Sequence, residues 1–239
     1  MEERQPIRRR TVLTGLAGVG ALSLAGCLGY GSGGGTSTRA PGSVSLPRSP
    51  ASVPLAYGNE ELVDSARDGG PGKDGIPAID DPTHVASEDA EDLPDGDPVF
   101  GLTVDGEAVA YPQRILVQHE IANDTVAGTP VAVTYCPLTG TAIAFRRGDT
   151  TFGVTGRLIN SNLVMYDRAT DSWWPQMLGQ AIRGPFAGQA LAEVRLTWTT
   201  FGAWREAHPD TRVLSTATGY ARNYDRDPYG DYNPFHGYY

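Results

Sequence analysis

Lysine is almost missing from this chain: of its 19 basic residues, Lys73 alone is not an arginine. Cysteine is nearly as scarce, with only Cys27 and Cys136. So few thiolates argue against an iron–sulfur cluster or a cysteine-rich structural zinc site. Long hydrophobic runs are absent too. The one extended apolar stretch, Val12 to Ala25, falls short of the roughly 20 residues a membrane-spanning helix needs. No repeat of 20–50 residues appears, which argues against a solenoid or propeller. There is no excess of positive charge: 28 acidic residues against 19 basic ones give a net charge of −9, which disfavours nucleic-acid binding. The acidity, rich in aspartate, resembles that of halophilic proteins, where it keeps the surface solvated in high salt.

What the N-terminus does contain is an export signal. Arg8-Arg9-Arg10 precede the apolar stretch, which ends in Leu24-Ala25-Gly26-Cys27. This reads as a signal peptide with a lipobox over residues 1–27. The paired arginines followed by Thr11-Val12-Leu13 resemble the signal of the Tat pathway, which exports folded proteins. Cys27 is then the expected lipidation site, and the membrane, reached through that lipid, the expected partner. The mature protein would be anchored on the outer face of the cell membrane. Residues 28–54, rich in Gly, Ser, Thr and Pro, read as a disordered tether. The sequence specifies no protein partner.

The remaining chain is long enough for a single domain with a substantial core. Residues 55–97 read as an irregular wrap and residues 98–239 as a β-rich domain. Asp105-Gly106 between two β-prone runs predicts a hairpin. Pro112 opens a short helix running to Glu120, and Asn123-Asp124 reads as a turn. Val131–Tyr135, Ala142–Phe145, Thr151–Thr155 and Leu163–Asp167 read as strands. A helix over Phe201–Ala207, capped by Thr199 or Thr200 and stopped by His208-Pro209, precedes a last strand at Arg212–Ser215. The expected fold is mainly β, with α+β possible: a single curved antiparallel sheet or a small barrel-like domain with a few short peripheral helices.

Several segments resemble the DUF3179 family, a domain of unknown function found in exported proteins. They are Asp74–Ile79, Ala110-Tyr111-Pro112, His119-Glu120-Ile121 with Asn123-Asp124, Val133–Leu138, Asn160–Arg168, Trp174-Pro175-Gln176 and Gly219–Asp225, which continues into Arg226–Tyr229. The resemblance implies no activity. The family segment usually reads Cys-Pro-Leu-Cys-Gly-Thr, whereas this chain has Thr139 at the second cysteine. A dithiol redox cycle or two-thiolate clamp within the motif is therefore unavailable.

Three soft or borderline donors lie in these segments: Cys136, His119 and Met165. Thiolate, imidazole and thioether together suit copper, so one expectation is a soft-metal or small-ligand site. A second uses the same atoms for covalent chemistry: His119 deprotonates Cys136, and Asn123 or Asp124 orients the imidazole, as in a thiol-dependent hydrolase or transferase. A third makes the domain a structural or interaction module of the cell surface. Tyr135, Thr139, Thr141, Asn160, Trp174 and Gln176 are candidate pocket residues. Each site residue also has a plainer role open to it. Met165 and Trp174 suit a core, Cys136 suits a packed interior, and His119 suits a helix end. His84 and His236 fall in loop or tail segments, and the Tyr220–Tyr239 stretch, with Asp225, Asp227 and Asp231, reads as a solvated tail.

Overall fold

The computed structural model describes Ser45, Leu46, Ser49 and residues 54–230. The signal peptide with Cys27, nearly all of the tether, Asp231 and His236 lie outside the described residues. In chain order the elements are α1 (Asn59–Ser65), β1 (Arg67–Asp68), β2 (His84–Ala86), β3 (Pro98–Val104), β4 (Glu107–Pro112), α2 (Gln113–His119), β5 (Ile121–Val126) and β6 (Thr129–Cys136). There follow β7 (Thr141–Arg146), β8 (Phe152–Ile159), β9 (Asn162–Asp167), β10 (Trp173–Pro175), β11 (Glu193–Val194), β12 (Leu196–Thr200), α3 (Phe201–Ala207) and β13 (Arg212–Leu214). None of the helices among the described residues is long and apolar enough to cross a membrane.

Tight turns with two positive-φ residues set the hairpins. Asp105 and Gly106 (φ 46° and 90°) join β3 to β4, Ala127 and Gly128 (48° and 71°) join β5 to β6, and Asn160 and Ser161 (50° and 62°) join β8 to β9. Such turns match the twist of the strands they connect and so fix register. Val104 pairs with Glu107, Val126 with Thr129, and Ile159 with Asn162.

The strands form three sheets, in the orders β1-β8-β9-β10, β11-β7-β6-β5 and β12-β3-β4-β13-β2. All pairings are antiparallel except β13 with β4. The mainly β expectation holds, but the described residues form neither a single sheet nor a closed barrel. The reason lies in β6, which is buried along both faces. Its odd-numbered side chains, Val131, Val133 and Tyr135, pack with Phe100, Leu102 and Tyr111 of the five-stranded sheet. Its even-numbered Ala132 and Cys136 pack with Phe152, Val154, Leu163 and Met165 of the β8–β9 sheet. A strand apolar on both faces needs a layer on each side, which one sheet cannot supply.

Two local expectations are corrected. Asn123 and Asp124 form no turn: they sit inside β5, which continues to Val126. Their polar side chains find lateral partners, Asn123 on the backbone N–H and carbonyl of Phe152 and Asp124 on the Tyr111 hydroxyl. The segment after Gly219 is solvated as expected, exposed as far as Gly230 except at two positions, but it is no free tail, because Tyr224 and Tyr229 pack against the first core. Gln118 Nε2 also donates to the carbonyls of Asn223 (3.0 Å) and Arg226 (2.6 Å).

Candidate functional site

Cys136 ends the central strand β6 and is 1% exposed. Its Sγ donates to the carbonyl of Ser161 at 3.6 Å. Burial pushes the thiol above its ordinary value; hydrogen bonds from Thr139 pull the other way, and the nearby Glu120 adds to the rise. A thiol so held carries its proton at neutral pH. Around it runs a side-chain network. Asn162 Nδ2 donates to Thr139 Oγ1 (3.0 Å) and Gln176 Oε1 (2.8 Å), while Gln176 Nε2 reaches Thr134 Oγ1 (2.9 Å) and the Thr141 carbonyl (3.0 Å). Thr139, Thr141 and Gln176 therefore meet in one place. The other sequence candidates do not join them. Tyr135 faces the opposite layer, stacking with Phe100 and accepting from Gln113 at 2.9 Å. Asn160 is an exposed turn residue, and Trp174 is buried with its Nε1 donating to Asp167.

His119 closes α2 with no exposed surface. Its Nδ1 lies 2.7 Å from the Pro77 carbonyl, an atom that only accepts, so Nδ1 carries the proton. Nε2 then accepts from the Tyr224 hydroxyl at 2.8 Å. Burial holds the imidazole below its ordinary value, favouring this neutral form. Both ring nitrogens are thus engaged away from Cys136. Asn123 donates to Asp80 at 2.8 Å, and Asp124 lies with Tyr111 (2.6 Å) and His84 (2.9 Å), so neither orients His119. Met165 is fully buried in the second core. Among the described residues no three histidine, cysteine or acidic groups are placed to hold a metal ion.

Next in sequence to His119 lies Glu120, which sequence reasoning passed over. It terminates α2 in the left-handed region (φ 60°, ψ −27°), where helices usually place glycine or asparagine. For a glutamate this conformation costs of order 1 kcal/mol or more, held here by two backbone bonds: its N–H to Leu116 and its carbonyl from Tyr135, both 2.7 Å. The side chain is 5% exposed and lines a cavity of about 330 Å³. The apolar walls are Ile76, Leu138, Val154, Leu158, Leu163 and Pro228. Tyr229 donates to Glu120 Oε1 at 3.0 Å. Burial lifts the carboxyl to about 7, and the Tyr229 bond opposes the rise only in part.

One wall is made by a bulge. Between the pairs Val154–Met165 and Leu158–Leu163, three residues of β8 oppose one of β9. Gly156, at its centre, has φ 75°, and a Cβ there would lie 1.9 Å from the Pro71 carbonyl oxygen. Only glycine admits this approach of the 69–72 segment, which closes that side of the cavity.

The family described as a protein of unknown function, DUF3179, matches residues 73–237. The chain belongs to the DUF3179 family. No curated protein and no solved structure matches it. The DUF3179 region takes in Glu120, Leu138, Leu163 and Tyr229, that is, most of the cavity. Two of the motif segments distant in sequence meet on its outside. Arg168 pairs with Asp80 (2.6 Å) and Asp74 (3.4 Å), and the Tyr166 hydroxyl donates to Asp74. This clasp fixes the 74–80 segment, and with it Ile76, against β8 and β9. The sequence did carry a signal for Glu120: a helix ending His-Glu-Ile, with no glycine where a C-cap is due.

Proposed function

We propose that this DUF3179 domain binds a small, largely apolar ligand in the Glu120 cavity. The observation carrying the reading is a buried carboxyl, set on strained backbone, that opens into a cavity of about 330 Å³ with mostly aliphatic walls. Volume, apolar lining and one convergent polar group are the usual attributes of a small-molecule site. Copper has less support, since Cys136, His119 and Met165 are each committed to other neighbours. Thiol catalysis has less support as well, because Cys136 is shifted away from thiolate.

Saturation-transfer NMR with benzyl alcohol and the full chain tests the reading. Binding with a Kd of about 1 mM is expected for so small a probe. Leu138→Trp, at a half-buried wall position, should weaken it at least tenfold without moving the thermal midpoint appreciably. Equal binding by both proteins overturns the proposal, as does failure of the unaltered chain to bind this alcohol or either of its charged analogues, benzylammonium and benzoate.

We also propose that the domain is held at the membrane by a lipid on Cys27, as the lipobox suggests. Cys27→Ser should shift the protein from the membrane fraction to the soluble fraction of producing cells. An unchanged distribution rules that anchor out.

A further inference from the structure

The chemistry of the cavity narrows the class of ligand, an inference that rests on the small-molecule reading above. Glu120 is enclosed by groups that offer it no positive charge. No arginine, lysine or histidine forms an ion pair with it among the described residues. The groups facing it are few. Tyr229 donates its hydroxyl from the C-terminal segment, with Asp227 close to that tyrosine. Cys136 approaches from β6 as a neutral thiol, and the neighbouring His119 directs its nitrogens to Pro77 and Tyr224. Arg157 lines the cavity but is exposed to solvent and forms no ion pair with Glu120.

A carboxyl buried without a counter-ion has already lost its hydration on folding. A cation brought to it regains Coulomb energy in a low-dielectric setting, with that part of the desolvation cost met in advance. Apart from Arg157 and the backbone of Gly69 and Gly156, the walls are aliphatic side chains, with the ring of Tyr229 beside the carboxyl. We propose that the cavity selects a small organic monocation, a protonated amine on an apolar body, whose ammonium group pairs with Glu120. In the empty site near neutral pH, Glu120 holds its proton part of the time. When the ammonium enters, that proton leaves the carboxyl for the solvent and the ion pair forms; the amine keeps its own proton throughout.

Three probes of one shape separate the possibilities: benzylammonium, benzyl alcohol and benzoate, titrated into the full chain by calorimetry. Benzylammonium should bind at least tenfold tighter than benzyl alcohol at about pH 8, with benzoate weakest. Its affinity should fall as pH drops below about 7, because the protonated carboxyl competes with the ammonium. At about pH 6, titrations in two buffers of different ionisation enthalpy should reveal release of most of one proton per ligand. This arm uses the unaltered protein, so it does not depend on a variant folding. Glu120→Gln should bring benzylammonium down to the affinity of benzyl alcohol. If the alcohol binds and the ammonium binds no better, or binds without proton release, the cation proposal fails and the small-molecule reading stands. If none of the three binds, the small-molecule reading itself fails.

Discussion

Asp167→Ala should lower the unfolding free energy by about 3–5 kcal/mol, the largest loss expected from any single truncation considered for this domain. Asp167 ends β9, is fully buried, and acts as the hub of the turn into β10. Its Oδ1 accepts from the Thr170 N–H (2.7 Å) and hydroxyl (2.8 Å); its Oδ2 accepts from the Ser172 N–H (3.2 Å) and Trp174 Nε1 (3.0 Å). Alanine leaves the Thr170 and Ser172 N–H groups and the Trp174 indole N–H inside the protein without an acceptor, while the Thr170 hydroxyl keeps Ser172 Oγ (2.7 Å); each orphaned group costs about 1–3 kcal/mol before the turn relaxes. Asp167→Asn keeps the shape but turns an NH2 toward donors, so an intermediate loss is expected. Urea unfolding followed by tryptophan fluorescence measures both. A loss under about 1 kcal/mol for the alanine variant would show that the turn holds without its hub.

The second large effect is a pH dependence carried by Glu120. Its carboxyl lies at about 7 in the folded protein against 4.5 for the ordinary group. Below about 4.5 both folded and unfolded chains hold the proton, so the shift has no effect there. Between about 4.5 and 7 only the folded chain holds it, so unfolding releases a proton and stability falls as pH rises. Above about 7 both forms are ionised, and the full loss of roughly 3 kcal/mol has accrued. Glu120→Gln has no such titration. The difference in unfolding free energy between the two proteins should therefore move by roughly 3 kcal/mol in favour of the variant from pH 4.5 to pH 8. A constant difference across that range would mean that Glu120 is not desolvated in the folded state.

The parts of the fold that were legible in sequence are those decided within a few residues. Asp105-Gly106 marks its hairpin because both residues tolerate positive φ, and Thr200 marks the start of α3, its Oγ1 accepting from the Ala203 N–H at 3.4 Å. Asn123-Asp124 was misleading for the opposite reason. Their turn propensity is a local preference, and partners distant in sequence override it: Phe152 and Asp80 for Asn123, Tyr111 and His84 for Asp124. His84, read as a loop residue, is drawn into β2 and towards Asp124 in the same way.

The candidate site divides along the same line. Cys136, Thr139, Thr141 and Gln176 were grouped from motif segments and do lie together. Glu120 was hidden because three separate circumstances give it meaning: a left-handed helix end, a bulge at Gly156, and a tyrosine 109 residues further on. None of these leaves a periodic trace. The pairing of His119 with Cys136 was inferred from residue type, but residue type does not say where a ring points. Pro77 and Tyr224 claim both nitrogens of His119.

The bond from Tyr229 to Glu120 also has a temporal meaning. Pro228 and Tyr229 form part of the cavity wall and are among the last described residues to leave the ribosome, long after β5 to β9 have the partners they need to pair. Closing a contact of such sequence separation costs loop entropy that nearer pairs avoid, so this bond is expected among the later contacts to form. Until Tyr229 has emerged, Glu120 lacks the one hydrogen bond its carboxyl receives from a distant side chain. The wall that Pro228 and Tyr229 supply is therefore added after every other residue that lines the cavity has been made, and a chain stopped before Pro228 would present Glu120 with that side open.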